Sequence, residues 1–213
     1  MMRRFLGTLS AVALLLAVAA PALGAPTDEL RTAVDKVTQI LDDPALKPEA
    51  RAHERQDAVR AAVVDLFDFT EISRRAMARH WRGLTDLERE EFVILFRAFL
   101  ARRYLPKIAL YGGERVRFLS EAQDGNLAVV RTQVVTRNGA EVPVNFRLHR
   151  PTDRWLIYDI TAAGVSLVAN YRAQFNQIIR RTSVQGLVRR IKRRVERAES
   201  RNEARSSSLA RRR

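Results

Sequence analysis

The sequence has 213 residues, with 38 Lys and Arg against 24 Asp and Glu, a formal charge of +14 and no cysteine. The missing cysteines exclude disulfides, thiolate metal sites and a lipid anchor attached to a cysteine. More than half of the net charge lies in residues 189–213. The high pI therefore bears on solubility and on the choice of binding partners, and it gives no information about the fold.

The N-terminus has the pattern of a secretory signal peptide. Two arginines precede an apolar run, and Ala22 and Gly24 are the small residues that a signal peptidase site requires. The pattern predicts a signal peptide over residues 1–24 and a mature chain that begins near Ala25. The apolar run is shorter than the ~20 residues of a membrane-spanning helix, which disfavours a membrane anchor. We therefore expect a periplasmic protein.

Helical periodicity dominates the first half of the mature chain. A first helix is indicated by apolar residues at spacings of three and four, and two prolines follow it: Leu30, Val34, Val37 and Leu41, then Pro44 and Pro48. A second helical tract covers about residues 48–66. The next segment carries a bulky apolar set: Phe67, Phe69, Ile72, Met77 and Trp81.

The clearest helix begins at Thr85. Thr85 followed three residues later by Glu88 is a capping box, which predicts a helix N-terminus at this point. Large side chains then recur at helical spacing: Phe92, Leu95, Phe96, Phe99 and Tyr104. Such a stripe is more often protein core than a ligand site.

After residue 113 the hydrophobic period changes from helical to alternating. Four segments, 115–119, 126–136, 140–150 and 154–161, read as strands separated by short turn signals such as Asp124-Gly125 and Asn138-Gly139. Short turns predict an antiparallel meander. Helical periodicity returns over residues 164–198, so the chain is predicted to be an α+β protein with a four-stranded sheet covered by N- and C-terminal helices.

The sequence has few motifs that would indicate metal binding, nucleotide binding or catalysis. The three histidines, His53, His80 and His149, have no metal-binding spacing, and no phosphate-binding glycine loop is present. Ser166 lacks the second glycine of a nucleophile elbow, which leaves an N-cap or a core hydroxyl as its role. Asp159 could act as a general base or serve as a hydrogen-bonding anchor, and no second titratable group is spaced to work with it.

Three tracts together resemble the MlaC family of periplasmic phospholipid shuttles, also called toluene-tolerance proteins. They are "WRGLTDLEREEFVILFRAFLARRY", "VVRTQVVTRNGAEVPVNFRL" and "WLIYDITAAGVSLVANYRAQFNQIIRR", and the resemblance covers about residues 28–195. One departure is visible. The family usually has an acid before the glycine of "GVS", whereas this chain has Ala163.

The resemblance implies a curved sheet and helices in an NTF2-like cone around a deep apolar pocket. It implies a carrier without cofactors that passes phospholipid between an outer-membrane lipoprotein complex and an inner-membrane ABC transporter with an MCE-domain subunit, and so supports outer-membrane lipid asymmetry. The residues predicted to line the pocket are Phe92, Phe96, Phe99, Tyr104, Val129, Val144, Phe146, Ile157 and Val168. Tyr171 and Arg172 are candidates for the head-group rim, although a structural salt bridge is the alternative for Arg172.

The predicted domains are the signal peptide (1–24), one lipid-binding domain (25–198) and an Arg-rich disordered tail (199–213). The tail could meet anionic lipid or an acidic protein, and an exported protein is not expected to bind nucleic acid. We expect a monomer and no enzymatic activity. The alternatives are a carrier of another lipid such as a hopanoid, and a small NTF2-like enzyme that uses Asp159.

Overall fold

The computed structural model describes residues 24–109 and 113–210, with the backbone alone for residues 109, 199 and 201–210. The predicted signal peptide, apart from Gly24, lies outside the described residues. Within these residues the chain forms six α-helices and five strands: α1 (Pro26–Asp42), α2 (Ala52–Val63), α3 (Phe69–Met77), α4 (Asp86–Ala109), β1 (Arg115–Asp124), β2 (Leu127–Val135), β3 (Glu141–His149), β4 (Leu156–Ala162), β5 (Val165–Ser166), α5 (Leu167–Arg181) and α6 (Val184–Ala210).

The strands form one antiparallel meander in the order β1-β2-β3-β4-β5. This confirms the α+β class and the antiparallel sheet, with two corrections. Strand β5 was not predicted, because two residues are too few to show a period. Strand β1 continues to Asp124, past the predicted end at residue 119, and its second half is exposed and therefore has no apolar alternation. Register shifts in β1 and β4 bend the sheet.

Helix α1 covers one face of the sheet. Its Leu30 packs with Ala128, Val130, Leu148 and Ile157, all of which are buried. Because side chains alternate between the two faces of a strand, this set defines the inward face of β2, β3 and β4.

The second core lies among α3, α4, α5 and α6. At its centre are four aromatic rings, Phe92 and Phe96 of α4 with Tyr171 and Phe175 of α5, at centroid distances of 5.1–5.8 Å. Edge-to-face pairs of this kind contribute about 0.5–1.5 kcal/mol beyond the area they bury. The predicted stripe on α4 is thus largely the core of a helix bundle.

The predicted capping box at the start of α4 is present. The Glu88 amide donates to Thr85 Oγ1 (3.3 Å), and the Thr85 amide donates to Glu88 Oε2 (2.9 Å). The amide and hydroxyl of Thr85 hold the pKa of the Glu88 carboxyl below its usual value. Both interactions satisfy groups that a helix N-terminus would otherwise leave unpaired.

The corner between β4 and α5 is built around Asp159. A two-residue turn joins β4 to β5, and both of its residues, Ala163 (φ 47°) and Gly164 (φ 80°), have positive φ. Ser166 then caps α5 by accepting the Ala169 amide (3.0 Å). The buried Asp159 carboxylate accepts the Ser166 hydroxyl (2.7 Å) and the Val168 amide (3.0 Å). The structure thus shows Ser166 as an N-cap and Asp159 as a hydrogen-bonding anchor.

Helices α5 and α6 are separated by a break at Thr182 and Ser183. A side chain on Gly186 would place its Cβ 2.6 Å from Thr182 Oγ1, so the glycine permits this close turn. Helix α6 runs on to Ala210, and the domain boundary predicted at residue 198 falls inside it and stays a prediction. None of the described helices combines the length and the apolar character needed to cross a membrane.

The turn at residue 163 gives a first prediction. A non-glycine residue in the left-handed region is strained, and asparagine tolerates this region better than alanine does. We expect Ala163→Asn to stabilise the fold by about 0.5–1 kcal/mol, which raises the melting temperature by roughly 1–4 °C for a domain of this size. Gly164→Ala is the matched control: it meets open space but keeps the positive φ, and should destabilise. A lowered melting temperature for Ala163→Asn would contradict the backbone argument.

The corner at Asp159 gives a second prediction. Asp159→Ala removes the acceptor for one buried amide and one hydroxyl, and should lower the free energy of unfolding in urea by about 3 kcal/mol. Asp153→Ala changes an exposed acid in the β3–β4 turn and should change stability by less than about 0.5 kcal/mol. Equal stabilities for the two variants would show that Asp159 is not an anchor.

Candidate functional site

A large apolar cavity lies beside the helical core. Its volume is about 830 Å³, near the upper end of the ~300–1,000 Å³ typical of ligand pockets. One wall is a long stretch of α4, and the others come from α2, α3, β4 and the beginnings of β5 and α5. The cavity therefore sits where the sheet and the helices diverge.

The closed end of the cavity is made of buried aliphatic side chains. Ile72, Leu100, Leu105 and Ile157 all line it and are at most 6% exposed. Phe67 and Phe69, whose ring centres are 5.7 Å apart and whose planes are tilted by 32°, add an aromatic wall. Such a surface offers no hydrogen bonds and suits hydrocarbon.

The open end exposes apolar side chains to solvent. Ile94 (68% exposed), Val165 (60%) and Ile108 (38%) line the cavity and are among the most exposed large hydrophobic residues of the described chain. Exposed apolar residues that cluster at a cavity mouth mark a binding site more often than scattered ones do.

The charges on the cavity wall are unequal. Four basic residues line it, Arg60, Arg97, Arg102 and Lys107, and Asp159 is the acid among the lining residues that the structure describes. The basic residues outnumber the acid, so the formal charge of the described lining is positive.

Two of the nine residues predicted to line the pocket, Tyr104 and Ile157, do line the cavity. Phe92, Phe96 and Val168 are buried in the helical core, and Phe99 packs against that core. These four are not among the residues lining the cavity, because they occupy the face of α4, or of α5, that meets the other helices.

The three predicted strand residues lie elsewhere on the sheet. Val144 and Phe146 are on the inward face of β3, and Phe146 packs against the cluster around Leu30. Val129 is paired with Arg147 on the opposite face. A lipid-contact role for these residues stays a prediction.

The predicted rim residues have structural contacts. Tyr171 is buried in the aromatic core with its hydroxyl 3.5 Å from that of Tyr104, and burial together with this contact raises its pKa above the usual range. Arg172 donates from Nε to the Arg75 carbonyl (2.9 Å), which ties α5 to α3. Neither residue is among those lining the cavity, and a head-group role for them stays a prediction.

Sequence reasoning missed the small and exposed side of α4. Ala98 and Ala101 line the cavity, and their short side chains leave the space that the cavity occupies. The available signal was the run of small and exposed aliphatic residues between the aromatic positions, together with the basic residues beside them.

No cluster of three or more metal-ligating side chains occurs among the described residues. His149 Nε2 lies 3.0 Å from Asp68 Oδ2, where it supports the residue that caps α3. The arrangement around the cavity can sequester an apolar molecule and attract an anionic group.

Comparison with known proteins identifies relatives. The chain matches the family model described as MlaC protein over residues 31–193. It is 20% identical over 123 residues to the intermembrane phospholipid transport system binding protein MlaC of Haemophilus influenzae, across 55% of this chain. The match spans 58% of that relative's length.

A solved structure shows a similar fold. It is a phospholipid-binding protein from Ralstonia solanacearum in complex with a phospholipid, with a TM-score of 0.71 and 28% identity. The likeness covers 81% of this chain and 97% of the other. Since the family model covers most of the sequence and includes the helices and strands around the cavity, the chain belongs to the MlaC family.

Proposed function

We propose that this protein is a phospholipid carrier that holds acyl chains in the apolar cavity between α4 and β4. The observation that carries the proposal is the cavity itself: about 830 Å³ of space with aliphatic and aromatic walls. Water in such a space finds few hydrogen-bond partners. Hydrocarbon fits it better, since burial of apolar surface is the favourable term.

The energy of extraction explains why a carrier needs so large a cavity. Each buried methylene contributes ~0.8 kcal/mol, so two acyl chains with roughly 30 methylenes are held in a bilayer by more than ~20 kcal/mol. A carrier must replace most of this burial inside one domain. The lipid-bound Ralstonia relative supports the proposal, since nearly all of its chain matches the fold of this one.

The arrangement of charged groups argues against the enzyme alternative. A general base needs a free acceptor aimed at the substrate. Both Asp159 oxygens accept hydrogen bonds from the β5–α5 corner, and no other carboxylate lines the described cavity. The cavity can therefore bind an apolar molecule, and its described lining offers no acid–base pair.

We place the carrier in the periplasm, as a shuttle between an outer-membrane lipoprotein complex and an inner-membrane ABC transporter with an MCE-domain subunit. Support comes from the signal-peptide pattern of residues 1–24, from membership of the MlaC family, and from the intermembrane transport system named for the Haemophilus relative. A hopanoid carrier is the alternative within this class.

Native mass spectrometry of the mature chain, purified from the periplasm without detergent, tests the proposal. We expect about one diacyl phospholipid for each chain, identified after lipid extraction. An empty protein that also takes up no phospholipid from vesicles would contradict a carrier function.

Filling the cavity should displace the lipid. Ala162 lies at the exposed end of β4 and lines the cavity, so Ala162→Trp adds a large side chain there with little change to the core. We expect bound phospholipid to fall by more than about half, because the ring takes space that an acyl chain needs. Lipid extracted from equal amounts of purified protein measures this.

Ala169→Trp is the matched control. Ala169 is exposed on α5 and is not among the cavity-lining residues, so the same substitution there should leave occupancy unchanged. Equal occupancy in both variants would show that lipid binds outside this cavity.

A further inference from the structure

Two of the basic residues that line the cavity, Arg97 and Lys107, share the same helix and a similar environment. Arg97 and Lys107 both lie on α4, both are exposed, and both line the cavity. The Arg97 guanidinium lies 5.4 Å from the centre of the Phe69 ring, and Lys107 Nζ lies 6.0 Å from that of Tyr104. Each cation therefore lies over an aromatic ring of the cavity wall while its side chain stays exposed to solvent.

Neither charge is neutralised within the fold. Across the described parts of the chain, no carboxylate lies within ion-pairing distance of Arg97 or Lys107. Arg60, across the mouth on α2, does pair with Asp57 at 3.2 Å. The two cations of α4 are thus available to a ligand, while the aromatic rings hold them beside the opening.

We infer that Arg97 and Lys107 form a cationic rim that selects lipids carrying a phosphate and rejects uncharged lipids with the same acyl chains. This inference rests on the proposed carrier function and assigns two residues to the recognition of the phosphate. A lipid whose chains lie against the buried aliphatic end places its polar end at the mouth. The phosphate then meets positive charge, whereas a bare hydroxyl gains nothing from it.

The distance between Arg97 and Lys107 indicates which part of a lipid head group they do not distinguish. Ten residues of helix separate Arg97 from Lys107 by about 15 Å, more than one phosphate can bridge. A phosphate at the mouth can therefore contact one of the two cations but not both at once. The rim recognises the phosphate and accepts head groups in which different alcohols are attached to that phosphate.

Lipid uptake from a mixed membrane tests the rim. Lipid-free mature protein is incubated with phosphatidylcholine vesicles that carry equal minor amounts of phosphatidylglycerol and diacylglycerol with identical acyl chains. The protein is then reisolated, and its lipids are quantified by mass spectrometry. We expect phosphatidylglycerol to exceed diacylglycerol, and we expect high salt to reduce the excess because exposed charges are screened.

Substitution locates the effect. Arg97→Gln and Lys107→Gln should each lower the ratio of phosphatidylglycerol to diacylglycerol about threefold, the range expected of an exposed charge pair, without lowering diacylglycerol uptake. Arg180→Gln is the control, because Arg180 is exposed in the last turn of α5 and does not line the cavity, and it should leave the ratio unchanged. Unchanged melting temperatures would show that the variants fold normally.

The outcomes separate the two proposals. Equal uptake of both lipids by the wild-type protein, or an equal loss of preference in Arg180→Gln, would overturn the rim and leave the carrier intact. Uptake of neither lipid, nor of phosphatidylcholine, would overturn the carrier function itself.

Discussion

Helix α4 meets different surroundings on different faces, and the cavity depends on this division. One face carries Phe92 and Phe96 into the aromatic core with α5 and α6. Another carries Ala98 and Ala101, whose short side chains do not reach β4. Since protein interiors otherwise close up to crystal-like density, an open space survives only where its walls are fixed by packing elsewhere. The aromatic core supplies that packing on the α4 side.

The opposite wall is held by hydrogen bonds. Asp159 ties the end of β4 to Ser166 and to the first turn of α5. Without this link, α5 could shift toward β4 and narrow the cavity. A buried carboxylate with two donors is a directional anchor that apolar contacts cannot replace, because apolar contacts do not fix an angle between a strand and a helix. This explains why an acid stands in an otherwise apolar wall.

Much of the fold followed from local signals in the sequence. The Thr85–Glu88 capping box, the alternation in β3 and the turn signals between strands each depend on neighbouring residues, and each was found where predicted. Strand β5 and the exposed half of β1 were not predicted, because neither shows an alternation of apolar and polar residues.

The cavity was harder to predict than the fold because core and pocket require the same residue types. Phe92 and Phe96 have the size and spacing of a lipid-binding stripe, yet they lie in the helical core. The distinction depends on which face of α4 meets another helix, and that is set by residues distant in sequence, such as Tyr171 and Phe175. On α4, the cavity lies beside the short side chains of Ala98 and Ala101, and the large residues are divided between cavity wall and core.

The backbone conformation of Ala163 offers a reason for the acid that the family usually has at this position. The residue has φ 47°, in the region that aspartate and asparagine adopt more readily than alanine. An acid before the glycine, as the family usually has, would suit this turn without any partner. The Asp159 anchor and the Ser166 cap close the same corner here without it. The geometry of the corner thus depends on the hydrogen bonds of the Asp159 carboxylate. An acid at position 163 would affect the corner through its tolerance of a positive φ angle.

A carrier must also release what it binds, and the placement of charge serves this requirement. A buried ion pair with the phosphate would add a desolvation barrier to every exchange. Arg97 and Lys107 lie instead at the solvent-exposed mouth, where each contact with an anion is weak and screened. Under the proposed function, most of the affinity would come from the acyl chains in the aliphatic end, and that term would be recovered when the chains enter another apolar phase. In the proposed carrier, selection by charge and retention by hydrocarbon would thereby be separated along the length of one cavity.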